Sequence, residues 1–549
     1  MMKVHRRGFL KQAAKAGVGL AASSMLRGTA QAQGMVSTAT HVVVDPSRKI
    51  SNLDRNLFGS FLEQLGRAIY TGIYEPGSPH ADANGFRTDV MEEVRALGVP
   101  IIRWPGGNFV SGYNWLDGVG PKKDRPRVLD RAWNTLDTNQ FGTNEFISWC
   151  KQVGSEPLFG LNFGTGSVEM AVAQVEYCNV DKGTRWSDLR RQHGYEAPHS
   201  VKHWCLGNEM DGPWQIGHIP AIEYGRKAAD AARQIRVIDP EVKLIACGSS
   251  GPFMPTYLEW DRQVLEECYN LVDGISLHRY FGNSNETGGD SSRYLALNLA
   301  MDRQIEEIID VCDMVRGLKR SSKRLFLSFD EWNVWYRAQG GDYANGHRAE
   351  APHLLEEVYN LEDALLVGGL INSLLRHSDR VRIACLAQLV NVIAPLMTNK
   401  TSVLRQTIYY PYLWALQSAR GSVLNLAPEG PSYAAPDLGR PIEGGGSSIF
   451  GRVPFLDVAA TFDPATNSST LFVLNRDLVK PRELELDWQG WTPSKVKSSE
   501  VITGEDLKAA NTFESPKRVI PQALESPPAG RSMTLRLPPR SYSMVTVAM

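Results

Sequence analysis

The stretch RLFLSFDEWNVWY, residues 324–336, begins as an apolar run and ends with two carboxylates among aromatic rings. Asp330 and Glu331 stand directly before Trp332, and Trp335 follows. An ionised carboxylate without a partner is costly to bury, so a buried run needs a reason to carry two acids at its end. A strand of an α/β barrel supplies that reason, because catalytic groups lie at the carboxyl ends of such strands.

Seven other short runs share this texture, and helical stretches such as 223–238 and 295–319 separate several of them. All eight are continuously apolar and bounded by Gly, Pro or charge, which is typical of parallel strands covered on both faces. The candidate strands are 56–63, 99–104, 157–162, 203–209, 243–248, 273–280, 324–331 and 382–389. Eight strand–helix repeats predict an α/β fold, a (β/α)8 TIM barrel. The alternative is a doubly wound sheet, but no G-x-G-x-x-G follows the first strand.

The texture changes near residue 420, where Gly, Pro and Ser become frequent and short alternating runs follow. This pattern predicts a C-terminal antiparallel β-sandwich domain, jelly-roll-like in type. The segment THVVVDP (40–46) is expected to pair with it. We therefore predict a catalytic barrel over 52–420 and a sandwich formed by 35–51 plus 421–549.

Composition excludes several classes of function. Apolar residues make up 42% of the chain and charged residues 22%, as in ordinary globular proteins. The net charge is -1, and phosphate binding needs concentrated Lys and Arg, so no nucleic-acid partner is expected. The seven cysteines form no C-x-x-C and no His/Cys cluster at ligand spacing, which argues against a disulfide framework or a zinc site. No cofactor is predicted.

The N-terminus has the order of features found in an export signal. Arg6 and Arg7 precede an Ala/Gly-rich apolar stretch that ends in AQA at 30–32. We predict a twin-arginine-type signal peptide over 1–32 and a periplasmic or secreted enzyme, with no membrane attachment after signal removal. The alternative is a basic N-terminus with a chance Arg pair, which would leave the protein in the cytoplasm.

Polar groups collect at the ends of the candidate strands, where a barrel opens onto one face. They are Glu63, Arg103, Asn108, Asn208, Glu209, His278, Tyr280, Asp330, Glu331, Gln388 and Asn391. Amides, phenols and indoles around two carboxylates suit sugar binding. A carboxylate pair about 5–5.5 Å apart performs retaining glycoside hydrolysis. Asp330 is expected to orient its neighbours, and His278 is either an active-site group or a hydrogen-bonded core residue.

At these residues the chain resembles the α-L-arabinofuranosidases of glycoside hydrolase family 51. The matching stretches are 58–79, 103–121, 204–218 with its GNE, 275–283, 327–336 with its DEW, and 382–395. The resemblance implies a metal-free enzyme that removes terminal α-L-arabinofuranosyl residues with retention. Its substrates would be oligosaccharides or polysaccharides such as arabinan and arabinoxylan. Many members are oligomeric, so a homo-oligomer, often a hexamer, is expected.

The resemblance also implies residue roles. Glu209 of GNE would be the acid/base, and Glu331 of DEW would be the nucleophile. The residues expected to bind the furanose are Glu63, Asn108, Asn208, Tyr280 and Gln388, with His278 as a further candidate. Trp133 and Trp335 would shape the entrance. Arg279 departs from the neutral residue expected after His278, which leaves the preference for the leaving group open.

Two alternative functions remain at this point. The same fold could act on another linkage, such as a β-xyloside or a β-glucan. A non-catalytic exported sugar-binding protein is the second alternative, which the loss of either glutamate would favour. Both glutamates are present.

Overall fold

A computed structural model describes residues 38–284, 286–338, 348–435 and 451–548. Its strands are β1 Thr40–Val44, β2 Lys49–Asn52, β3 Gly59–Phe61, β4 Ile101–Trp104, β5 Val128–Asp130, β6 Thr135–Asp137, β7 Glu156–Gly160, β8 His203–Cys205, β9 Lys243–Ala246, β10 Gly274–Phe281, β11 Phe326–Val334, β12 Val381–Ala387, β13 Leu396–Thr398, β14 Val403–Arg405, β15 Ser422–Leu424, β16 Ser432–Ala435, β17 Gly451–Pro454, β18 Leu456–Asp463, β19 Ser468–Asn475, β20 Arg482–Trp488, β21 Lys495–Thr503, β22 Gln522–Ala523, β23 Ser532–Leu537 and β24 Ser541–Ala548. The α-helices are α1 Thr88–Leu97, α2 Thr143–Val153, α3 Val168–Asn179, α4 Arg185–Gln192, α5 Ala221–Ile238, α6 Glu259–Cys268, α7 Ser291–Tyr294, α8 Asn298–Leu318, α9 Leu361–Arg376 and α10 Tyr409–Ser418.

Eight parallel strands close into a barrel in the order β3-β4-β7-β8-β9-β10-β11-β12, and β12 pairs with β3. This confirms the predicted TIM barrel, and each of the eight apolar runs overlaps one of its strands. The lower interior is filled by apolar side chains such as Phe61, Ile101, Leu158 and Ile245. A packed interior leaves the carboxyl ends of the strands as the open face of the barrel.

Strand β11 extends three residues past its predicted end and carries an extra residue. Along this stretch both of its neighbours, β10 and β12, have one residue fewer than β11. In a regular strand Asp330 and Glu331 would point to opposite faces, whereas a bulge re-aims one of them. Both carboxylates pair with Arg103 inside the barrel, at 3.5 Å and 2.7 Å. The bulge explains how one strand buries two acids on the same side.

The C-terminal part forms two sheets, one of order β1-β20-β23 and one of order β2-β15-β18-β19-β24-β21-β22. Apolar side chains such as Val42, Leu535 and Trp488 fill the space between them, which confirms the predicted β-sandwich. The segment expected to pair with it does so through β1, although β1 runs parallel to β20. The exact limits of the two predicted domains stay predictions.

A buried network of charges fastens the sandwich to the barrel. Asp457 of β18 accepts hydrogen bonds from Arg476 at 2.7 Å and from Arg376 of α9 at 2.8 Å. Asn372 of α9 and Asn298 of α8 also donate to this carboxylate. Burial would raise the pKa of Asp457, but the two guanidinium groups hold it well below its usual range. Asp457 is therefore the central anion of the junction.

Replacing Asp457 by Asn should destabilise the fold, because the fully buried Arg476 would lose its counter-charge. Breaking a buried ion pair from one side costs roughly 3–5 kcal/mol. Asp506→Asn is the matched control, since Asp506 pairs with Arg518 at the surface and such pairs contribute little. Urea denaturation of both variants measures the difference. Equal losses of unfolding free energy in the two variants would contradict the role assigned to Asp457 at the junction.

Candidate active site

A cavity of about 580 Å³ opens at the carboxyl ends of the barrel strands. Eight of the predicted site residues line it: Glu63, Asn108, Trp133, Glu209, Tyr280, Glu331, Trp335 and Gln388. Asn208 and His278 do not line it but lie directly behind it, buried against its lining residues. The structure thus brings all ten predicted residues to one place.

Glu209 and Glu331 face each other across the base of the cavity. A carboxylate oxygen of each, together with a ring nitrogen of His278, lies within 4.8 Å of the others. Inverting glycosidases hold their carboxyl groups about 6.5–9.5 Å apart, to leave room for a water molecule, and retaining enzymes about 5–5.5 Å. The short separation is the one that lets a carboxylate reach the sugar itself.

Glu331 is surrounded by groups that stabilise its ionised form. Arg103 of β4 donates to it at 2.7 Å, and the hydroxyl of Tyr280 donates to its other oxygen at 2.8 Å. Burial, followed by the charge of Glu331, raises the pKa of Tyr280 well above its ordinary value, so the phenol stays a donor. The two donors fix the position of this carboxylate at the base of the cavity.

His278 connects the two glutamates to a buried aspartate. Its Nε2 lies 3.0 Å from Asp330 and its Nδ1 lies 3.0 Å from Glu209. Burial would lower the pKa of His278, but the charge of Glu331 and the hydrogen bonds to Asp330 and Glu209 raise it to about 10. The imidazole is therefore protonated near neutral pH and donates to both carboxylates. His278 is thus a buried residue in direct contact with the carboxylate pair.

Glu63 stands in a different environment from the pair. Its Oε1 accepts two hydrogen bonds, from the indole of Trp133 at 2.7 Å and from the amide of Phe109 at 2.8 Å. Burial dominates over these bonds and raises the pKa of Glu63 to about 8. A Cβ at Gly107, which has φ +46°, would lie 2.0 Å from Glu63 Oε2, so the Gly-Gly turn makes room for this carboxyl group.

The aromatic residues sit on the rim. Trp133 is carried between β5 and β6, and its indole donates to Glu63. The ring of Trp335 meets Tyr280 edge-on, with centroids 5.3 Å apart. Arg279 turns away from the cavity, where it donates to the carbonyl of Ala300 and pairs with Glu286. The departure noted at Arg279 therefore places no charge in the cavity.

Three functional neighbours were not among the predicted site residues. The sequence did contain a pattern that indicates Arg103, because an arginine inside the apolar run 99–104 needs a buried anion as its partner. Trp214 donates to Glu209 Oε2 at 2.7 Å, and Phe253 lies beside Trp214 with ring centroids 6.0 Å apart. No pattern in the sequence distinguishes these two aromatic residues from other loop residues.

The carboxylates and His278 could in geometry surround a cation, and they are the one such group among the described residues. The chemistry of the donors disfavours one, because the guanidinium of Arg103 already lies 2.7 Å from Glu331 and the imidazole of His278 is protonated. Positive charge at both places repels a metal ion.

A (β/α)8 barrel with two glutamates this close at its carboxyl face defines a retaining glycoside hydrolase. Family models named α-L-arabinofuranosidase 1 domain and α-L-arabinofuranosidase C-terminal domain match residues 93–294 and 330–541. The chain belongs to the α-L-arabinofuranosidases of glycoside hydrolase family 51.

Individual relatives agree with this assignment. An intracellular exo-α-(1→5)-L-arabinofuranosidase of Halalkalibacterium halodurans is 48% identical over 87% of this chain and 92% of its own length. The intracellular exo-α-(1→5)-L-arabinofuranosidase 1 of Bacillus subtilis is 45% identical over 92% of this chain and 98% of its own length. A solved family 51 α-L-arabinofuranosidase from Bifidobacterium longum superposes with a TM-score of 0.87, at 37% identity, over 92% and 99% of the two chains. The enzyme is a retaining α-L-arabinofuranosidase, and neither alternative function is favoured.

The predicted export is wrong by the same comparison. Both relatives are named intracellular enzymes, as are those from Acetivibrio thermocellus and Streptomyces lividans. The prediction rested on 1–32, which lies outside the described residues, and on a short pattern of common residue types with little specificity. Among the helices that the structure describes, none is long and apolar enough to cross a membrane.

Replacing Glu63 by Gln tests the protonated state of this carboxyl group. Folded Glu63 keeps its proton up to about pH 8, whereas its ordinary pKa is 4.5, so folding takes up a proton between these values. Its contribution to stability is therefore lost as the pH rises through this range. Because glutamine does not titrate, the melting temperature of Glu63→Gln should fall less between pH 5 and pH 8 than that of the wild type, by roughly 3 °C or more.

The control is Glu259→Gln, at an exposed carboxylate that pairs with Arg262 on α6. This variant should follow the wild-type dependence on pH. If the melting temperatures of the wild type and of Glu63→Gln changed by the same amount between pH 5 and pH 8, a proton on Glu63 would be contradicted.

Proposed function

We propose that Glu331 is the nucleophile and Glu209 the acid/base of a double displacement on terminal α-L-arabinofuranosides. The assignment rests on the geometry of the two glutamates. Their carboxylate oxygens lie within 4.8 Å of each other, and Arg103 and Tyr280 both donate hydrogen bonds to Glu331. Among the described residues no guanidinium pairs with Glu209, which faces the protonated His278 instead. The two carboxyl groups therefore differ as the two roles require.

In the first step, an oxygen of Glu331 attacks the anomeric carbon and the glycosidic bond breaks. The leaving oxygen takes the bond's electrons and the proton of Glu209, which leaves a glycosyl ester on Glu331. In the second step, Glu209 removes a proton from water, whose oxygen attacks the same carbon. The ester bond breaks and its electrons return to Glu331.

The proximity of the two glutamates helps Glu209 to change roles. While Glu331 is ionised, it repels a second negative charge within 4.8 Å. Ester formation removes the charge of Glu331, and Glu209 can then accept a proton. One geometric arrangement thus serves both steps.

The remaining lining residues would hold the furanose. Glu63, Asn108, Tyr280 and Gln388 line the same cavity and present carboxyl, amide and phenol groups. The Oδ1 of Asn208 accepts from Arg103 at 2.7 Å, and its Nδ2 uses one hydrogen on Gln215. Asn208 lies directly behind the cavity, and we assign its other Nδ2 hydrogen to the sugar 2-hydroxyl, where contacts strengthen in an oxocarbenium-like transition state.

Trp133 and Trp335 would bound the entrance, since both rings lie on the rim of the cavity. For the linkage, the names of the relatives favour α-(1→5)-bonded arabinofuranose at non-reducing ends, as in arabinan, although one relative is named for α-(1→6) bonds. Arabinoxylan remains within the proposed substrates. The expected homo-oligomer, a hexamer by family habit, stays a prediction.

The central test uses an aryl α-L-arabinofuranoside. Glu331→Ala should lower kcat by at least about a thousandfold, because no ester can form. Azide should restore turnover by filling the space of the carboxylate and attacking the anomeric carbon, and the product should be the inverted azide. Glu259→Ala, at an exposed carboxylate at the start of α6, should keep the wild-type rate. A near-native rate for Glu331→Ala would refute the assignment.

Glu209→Ala should separate substrates by their leaving group. Bond cleavage should persist for an activated aryl substrate, which needs no proton donor, and should fail for an unactivated arabino-oligosaccharide. Measuring kcat/KM for both substrates checks this. Equal losses for the two would show that Glu209 is not the proton donor.

A linkage panel tests the proposed substrate. Arabinose release from α-(1→5)-arabino-oligosaccharides should exceed release from arabinoxylan by about tenfold in kcat/KM, a difference that about 1.4 kcal/mol of selective binding supplies. An aryl β-xyloside should not be hydrolysed at a comparable rate. Preference for the β-xyloside would overturn the proposed substrate while leaving the fold unaffected.

A further inference from the structure

Both oxygens of Glu209 are occupied by hydrogen-bond donors. Oε1 faces the buried His278 at 3.0 Å, and Oε2 accepts from the indole Nε1 of Trp214 at 2.7 Å. His278 is only 2% exposed, whereas Trp214 is 43% exposed. The bond to Trp214 is therefore the outer one, on the side of the cavity from which a leaving group must approach.

The loop that follows β8 is shaped to bring this indole over Glu209. Glu209 has φ +42°, an uncommon backbone conformation for a residue other than glycine, and its carbonyl accepts from the amide of Gly212 at 2.8 Å. A Cβ on Gly212 would lie 2.5 Å from Trp214 Cε2, so the ring rests directly on this glycine. Asp211 anchors the turn by accepting from the hydroxyl and amide of Ser250.

Phe253 extends this surface outward. Its ring lies 6.0 Å from that of Trp214 and is inclined by 34°, and 37% of Phe253 is exposed. Both rings line the cavity on the side of Glu209. An exposed pair of aromatic rings at a cavity rim suits the apolar face of a neutral sugar ring.

We propose that Trp214 is a positioning residue for Glu209, and that the sugar on the leaving-group side displaces its N–H from Oε2. In the free enzyme the indole N–H occupies Oε2 of Glu209. When a leaving-group sugar lies on Trp214 and Phe253, the glycosidic oxygen takes the place of the indole N–H. Oε2 of Glu209 is then open to the glycosidic oxygen at the moment when a proton must be transferred. This inference rests on the proposed acid role of Glu209.

Other charged or titratable groups also face Glu209. They are His278 and Tyr280 on β10, Glu331 on β11, and Asp211 on its own loop. All four are kept in the variants below. A change in the pH profile can therefore be assigned to the indole.

The decisive variant is Trp214→Phe, which keeps an aromatic ring and removes the donor. The midpoint of the basic limb of kcat/KM should move upward by roughly 0.5–1 unit, since a hydrogen bond to a partly exposed carboxylate is lost. Gly212→Ala should move it in the same direction, because its Cβ pushes the intact indole off Glu209. Phe253→Leu, which removes no donor, should leave the midpoint in place and weaken only the binding of longer substrates.

Displacement by the substrate has its own measurement. The substrate is an unactivated arabino-oligosaccharide, for which glycosidic cleavage limits turnover. In the wild type the midpoint of the basic limb should lie at higher pH for kcat than for kcat/KM. In Trp214→Phe the two limbs should coincide, because no indole bond remains to be displaced. If the midpoints of kcat and kcat/KM differed in this variant by as much as in the wild type, the inference would be overturned.

Glu209→Ala separates the two proposals. If it abolishes cleavage of the arabino-oligosaccharide and Trp214→Phe leaves the midpoint unmoved, the indole has no positioning role and the acid role of Glu209 stands. If Glu209→Ala still cleaves the arabino-oligosaccharide at the wild-type rate, the acid assignment itself fails. A basic limb that moves upward in both Trp214→Phe and Gly212→Ala supports the inference even if one variant is poorly folded.

Discussion

The site depends on the balance of buried charge around Arg103. This guanidinium is fully buried and pairs with Glu331 at 2.7 Å and with Asp330 at 3.5 Å. His278 adds a second buried positive charge beside the same acids. Two positive and two negative charges cancel, so the cluster is neutral when Glu209 holds its proton. Buried charges are tolerated only when they are paired, and here the two cations are matched by two anions within the same cluster.

The bulge in β11 is the backbone feature that makes this balance attainable. It turns both Asp330 and Glu331 toward Arg103, while a regular strand would have sent one of them into the apolar layer beneath the helices. The strands themselves are held by the packed barrel interior and by helices that the sandwich covers. Asp457 joins that sandwich to α8 and α9. The position of Glu331 is thus fixed by packed strands and helices behind the cavity.

Sequence patterns predicted the architecture well because hydrophobic burial dictates it. The eight apolar runs were recognisable without neighbours, and the polar residues at their ends marked the open face. The bulge was not predictable, because register depends on pairing with two other strands. For this reason the predicted end of β11 fell at Glu331 rather than at Val334. The contact of Trp214 with Glu209 was missed as well, since it arises from a loop conformation with no periodic signal.

The distribution of rigid and irregular elements also divides the chemistry from the choice of substrate. Arg103, Tyr280 and Glu331 project from strands whose positions the closed barrel determines. Trp214 and Phe253 lie on loops at the rim. Loops tolerate change at little cost to the core, whereas a shift in any one of the strand residues would unbalance the buried charges. Variation in linkage preference is therefore expected to arise at the rim, where Trp214 contacts Glu209 directly.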